Sequence, residues 1–228
     1  MTMASTHSTI DSTEILMKKG CTMCLTGPSR SGKTTFIYTY LKNRDNLYKS
    51  EDVPRRILYC YSMHQPLYSQ MERSVPGIEF HQGLPTEDMI DHLTDGNHNL
   101  IILDDMMIQI QKSEEMLNMF ILGSHHRNLS VVFMTQNIFH SGRHGRTIAL
   151  NTQYLVLFKN PRDKSQIKFL ARQIYPSNMQ ALCEAYQDAT ERESFGYLFL
   201  DLSQACDESL RMRANITPEK DTIVYRPL

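Results

Sequence analysis

Residues Gly27-Pro28-Ser29-Arg30-Ser31-Gly32-Lys33-Thr34 follow the spacing G-x-x-x-x-G-K-T. An apolar run precedes them and an amphipathic stretch follows, which is the strand-to-helix context that gives this spacing chemical meaning. The chemistry is the wrapping of a polyanion. Glycines let backbone N–H groups approach phosphate oxygens, and the N-terminus of the following helix adds a favourable dipole. Lys33 is then placed for the β- and γ-phosphates of ATP, the Thr34 hydroxyl for Mg²⁺, and Thr35 continues the cradle. These residues imply a P-loop NTPase that binds ATP with magnesium.

Two further strings fit that chemistry. Leu100-Ile-Ile-Leu-Asp104-Asp105 is an apolar strand ending in two carboxylates, the Walker B pattern at the carboxyl end of a sheet, where α/β proteins bind ligands. Asp104 is expected to hold magnesium through its water shell, and Asp105 to orient or deprotonate the attacking water. The apolar run 131–134 ends in Thr135-Gln136-Asn137, and Gln136 is the candidate sensor of the γ-phosphate or its water.

The elements that must position these groups read as alternating short apolar and longer amphipathic stretches. Strands are expected over 18–26, 56–62, 77–82, 100–103, 130–135, 154–159 and 197–202. Helices are expected over 34–46, 65–74, 86–93, 114–124, 163–174 and 178–189, with a helical turn at 147–150. Nearly continuous apolar strands indicate a mainly parallel sheet covered by helices on both faces. The fold class is therefore α/β, a P-loop NTPase of the additional-strand class with a mainly parallel central sheet flanked by helices. In this reading the 100–103 strand lies between the P-loop strand and the sensor strand, with 56–62 further out. The expected organisation is a disordered tail over 1–14, an ATPase domain over 15–205 and an extension over 206–228 that packs or binds.

Composition narrows the function classes. A 228-residue chain with 24 basic and 25 acidic residues has no overall field for coating nucleic acid, so any DNA contact must be local. The cysteines at 21, 24, 60, 183 and 206 lack paired metal spacing, which fits reduced thiols in a cytosolic or nuclear compartment. Cys21 and Cys24 match C-x-x-C but lie in the run entering the phosphate loop, where they read as strand. No apolar stretch approaches the ~20 residues needed to span a bilayer, so a soluble intracellular protein with no membrane requirement is expected. A guanine-specific N-K-x-D string is absent; Asn160-Pro-Arg-Asp163 departs at its second position. A nucleotide kinase remains open, because Arg143-His-Gly-Arg146 could form a basic lid.

The segments GPSRSGKTTF, CYSMHQPLYSQM, EFHQGLP, LIILDDMM, HHRNLSVVFMTQNIF, RTIALNTQYLVLFKNPRD and LARQIYP together resemble the FtsK–HerA superfamily, in particular the genome-packaging ATPases of double-stranded DNA viruses with double jelly-roll capsids, including poxvirus-type, Maverick and adintovirus-like proteins. The resemblance covers roughly residues 15–200. It implies a homo-oligomeric ring that pumps double-stranded DNA by phosphate contacts, docks on a capsid or vertex protein, and works in a host nucleus or cytoplasmic virus factory, or on the virion. It also implies an arginine supplied in trans to each active site, with Arg127 the match by position and Arg143 and Arg146 the alternatives. Most relatives in the wider class carry Glu where this chain has Asp105, one methylene shorter, so direct and relayed contact with the water both stay open. A non-motor NTP-dependent switch in virion assembly or transcription is the rival from another class.

Overall fold

The computed structural model describes residues 5–10, 16–111, 128–137, 148 and 150–227. The described strands form one ten-stranded sheet. In chain order they are β1 Ser5–Ile10, β2 Thr22–Thr26, β3 Ile57–Tyr61, β4 Ile78–Gln82, β5 Asn99–Asp104, β6 Leu129–Thr135, β7 Tyr154–Phe158, β8 Tyr197–Asp201, β9 Met212–Ala214 and β10 Thr222–Pro227. The described α-helices are α1 Lys33–Lys42, α2 Arg44–Leu47, α3 Pro66–Ser74, α4 Glu87–His92, α5 Met107–Gln111, α6 Ser165–Ile174 and α7 Met179–Glu191. The expected helix over 114–124 lies outside the described residues, as do 147 and 149 of the turn at 147–150. Among the described residues, no helix is long and apolar enough to cross a membrane.

The sheet order is β1-β10-β9-β8-β7-β2-β6-β5-β3-β4. From β7 to β4 every pairing is parallel. From β7 through β8, β9 and β10 to β1 the pairings turn antiparallel. The expected fold class is found, with one correction to the strand order: β6 is inserted between β2 and β5, so the sensor strand, not the 100–103 strand, neighbours the P-loop strand. Sequence order cannot supply this, because the crossover that returns β6 to the side of β2 is a tertiary choice.

Alternation along the strands divides the core into two layers. Met23, Leu25, Ile57, Tyr59, Leu100, Ile102, Val132 and Met134 face α1 and α3 through Phe36, Ile37, Tyr68 and Met71. Cys24, Leu58, Cys60, Ile101, Leu103, Val131 and Phe133 face the opposite layer, where Ile90, Leu170, Leu182 and Ala185 contribute. Both faces are therefore apolar, which is why these strands lack the polar alternation of a half-exposed sheet. Cys21 and Cys24 go to opposite layers, and burial pushes their thiols up to about 11 and about 12, which suits packed side chains rather than a redox pair.

The tail expected to be disordered requires a second correction. Ser5–Ile10 pairs antiparallel with β10 along its whole length. A Ser/Thr-rich segment has little apolar area of its own, so its order comes from the backbone hydrogen bonds offered by the β10 edge. The extension after 205 supplies β9 and β10, and its Arg213 forms a buried ion pair with Asp201 at 2.8 Å.

Candidate active site

The strand register lines up the chemical groups before any side chain is considered. Thr26 pairs with Thr135, Met134 with Asp104, and Asp104 with Tyr61, so the residues that follow these strands emerge together at one carboxyl edge. This edge lies where β2 has β6 on one side and β7 on the other, a switch point at which open α/β sheets form a crevice. Ser29, Arg30, Gly32, Lys33, Thr34, Thr35, Asp104, Asp105 and Gln136 all line one cleft of about 710 Å³ there.

The loop Gly27–Thr34 is built by close approach. A Cβ on Gly27 would lie 2.7 Å from Phe158 Cβ, and Gly32 takes φ +104, so neither position admits an ordinary side chain without strain. Lys33 Nζ reaches back and donates to the carbonyls of Gly27 (2.6 Å) and Pro28 (3.0 Å). Burial lowers its pKa, and the carboxylates of Asp104 and Asp105 oppose that shift. Within the loop, the buried Ser31 hydroxyl has no hydrogen-bond partner among the described residues. An unpaired hydroxyl in a loop that opens onto the N-terminus of α1 suits an anionic ligand.

Asp104 is buried at the end of β5. Its Oδ2 accepts hydrogen bonds from Tyr68 (2.7 Å), Tyr59 (2.9 Å) and Gln65 Nε2 (3.3 Å). Burial raises its pKa, while the two tyrosine hydroxyls and Lys33 pull it down. Gln65 Oε1 in turn accepts from Thr34 Oγ1 at 3.0 Å, so this one side chain joins Thr34 to Asp104. A hydroxyl and a carboxylate are hard oxygen donors. They fit magnesium, which takes few protein ligands and keeps waters and phosphate oxygens. Asp105 is exposed in the left-handed region at φ +57, its N–H bound to the Met134 carbonyl, which turns its side chain off the strand line. Gln136 Nε2 stands 3.5 Å from Asp105 Oδ2, the outer limit of a hydrogen bond.

Sequence reasoning missed Gln65, Tyr59 and Tyr68. The signal was available in part: the 56–62 strand ends at the same sheet edge, so the first polar residues after it must face the cleft. Arg127, Arg143 and Arg146 lie outside the described residues.

No protein-family model and no curated protein matches the sequence. Solved structures do. The genome packaging NTPase B204 from Sulfolobus turreted icosahedral virus 2, in complex with ATP-gammaS, superposes with a TM-score of 0.56 at 14% identity, over 82% of this chain and 94% of that one. The chain has the fold of B204. The B204 DNA-packaging ATPase from Sulfolobus Turreted Icosahedral Virus gives 0.55 at 14% identity over the same shares, and the AMPPCP complex of the first protein gives 0.51 at 13%, over 80% of this chain and 92% of that one. At such identities the likeness to B204 is one of fold.

Proposed function

We propose that the chain is a magnesium-dependent ATPase that drives double-stranded DNA into a capsid as a ring of identical subunits. The observation that carries the ATPase reading is the convergence of Lys33, Thr34, Asp104, Asp105 and Gln136 in one cleft. In this reading Lys33 holds the β- and γ-phosphates, Asp105 takes the proton of the attacking water, and Gln136 orients that water. Magnesium held by Thr34 and Asp104 supplies neutralisation of phosphate charge. An arginine from the neighbouring subunit, Arg127 first among the candidates, stabilises the transition state. The DNA step is supported by the fold shared with B204, described as a genome packaging NTPase and a DNA-packaging ATPase. The test is ATP turnover with and without duplex DNA, alongside oligomeric mass. Stimulated turnover by a multimer is expected; a monomer indifferent to DNA would favour the non-motor switch.

A further inference from the structure

We propose that Phe195 is the platform for the nucleobase of the bound nucleotide, and that the pocket behind it takes base and ribose; this rests on reading the phosphate-loop cleft as a nucleotide site. Phe195 is 58% exposed and holds φ +65, a backbone region that bulky residues rarely adopt and that tends to persist where a site needs it. The turn is forced from below. A Cβ on Gly196 would lie 2.4 Å from the Ala189 carbonyl oxygen, so the chain passes tightly over the end of α7 and lifts Phe195 outward. There it meets the phosphate loop: a Cβ on Gly32 would stand 2.6 Å from Phe195 Cβ. The loop glycine and the aromatic side chain are fitted to each other.

Phe195, Gly32 and Thr35 line both the phosphate cleft and a second pocket of about 330 Å³. Asp104, Asp105 and Gln136 line only the former. The polyphosphate therefore has a direction, with its reacting end at the carboxylates and its nucleoside end passing Thr35 into the second pocket. The wall of that pocket is rigid: Phe36 packs edge-on against Tyr197 with ring centroids 4.8 Å apart. Its rim carries Glu193, ion-paired with Lys220, and Glu219, carboxylates that suit the hydroxyl donors of a ribose. An exposed aromatic face above such a pocket is the group on which any base can stack.

The experiment is calorimetric titration of the full chain, with Mg²⁺, by AMPPCP and by inorganic tripolyphosphate. Phe195→Ala is expected to weaken AMPPCP by about tenfold or more while tripolyphosphate stays within about twofold, because only the former has a base to stack. Phe195→Tyr, which keeps the aromatic face, should bind both as the unmodified chain does. Equal loss for both ligands in Phe195→Ala, or no loss for AMPPCP, overturns the proposal. Lys33→Ala is the control for the underlying reading and should weaken both ligands. If it weakens both while Phe195→Ala changes nothing, the platform alone falls; if it changes neither, the nucleotide site falls with it.

Discussion

Asp104 and Asp105 are sequence neighbours with opposite environments, and the different roles proposed for them rest on that. Asp104 is walled in by Tyr59, Tyr68 and Gln65, which leaves it no freedom to follow a moving proton. Asp105 is exposed, with its backbone turned at φ +57. Asp105→Asn should therefore bind ATP normally and lose turnover by about 10²–10⁴-fold, the contribution of a positioned proton acceptor. Lys33→Ala should lose binding and turnover together. Single-turnover hydrolysis measured beside equilibrium binding separates the two; normal kcat in Asp105→Asn would move the base elsewhere. Lys33, Thr34 and Asp104 were legible as candidates for one cleft because the motifs that single them out span only a few residues. Gln65 was not, since its partners Thr34 and Asp104 lie 31 and 39 positions away and meet it only through the sheet.

At the scale of elements, two buried polar contacts tie strands to their surroundings. His98 enters β5 with one ring nitrogen at the Asp52 carbonyl and the other 2.8 Å from the Ser130 hydroxyl on β6. Burial lowers its pKa below the ordinary 6.5, with the Asp52 contacts opposing. The unfolded chain thus takes up a proton at a higher pH than the folded one, and stability is lost as pH falls through 6.5. Thermal melts between neutral and mildly acidic pH should decline less for His98→Gln than for the unmodified chain; parallel declines would remove His98 from the account. The second contact joins β8 to β9. Arg213 is 4% exposed, pairs with Asp201 at 2.8 Å and lies over the Phe199 ring. Arg213→Ala leaves that carboxylate buried without a counter-charge, held only by the Ser203 N–H and hydroxyl at its Oδ1, and should cost about 3–5 kcal/mol in urea unfolding. A loss below about 1 kcal/mol, the scale of an exposed pair, would contradict the burial. Neither contact could be read from the sequence, where Arg213 falls in the extension over 206–228 and Asp201 in the strand expected before it.

For the whole molecule, the reading of a ring with active sites shared between subunits makes a prediction about mixtures. Arg127→Ala subunits lack the donated arginine and Lys33→Ala subunits lack nucleotide binding, so a mixed ring contains some junctions with both groups intact. Turnover should be near zero for either variant alone and should partly recover on mixing, followed by steady-state phosphate release. Full activity of Arg127→Ala by itself would exclude that arginine as the donor. What the sequence determined here is local: the glycine-bounded turn between β2 and α1, the acidic strand end and the apolar runs each follow from residue type and short spacing, whose physics needs no distant partner. What only the tertiary structure decided is long-range. The crossover set β6 beside β2 and made the sensor strand a neighbour of the loop. The free edge of β10 ordered the polar segment Ser5–Ile10. The turn after α7 brought Phe195 against Gly32. Each of these depends on backbone groups meeting across more than a hundred residues, and no residue type announces such a meeting in advance.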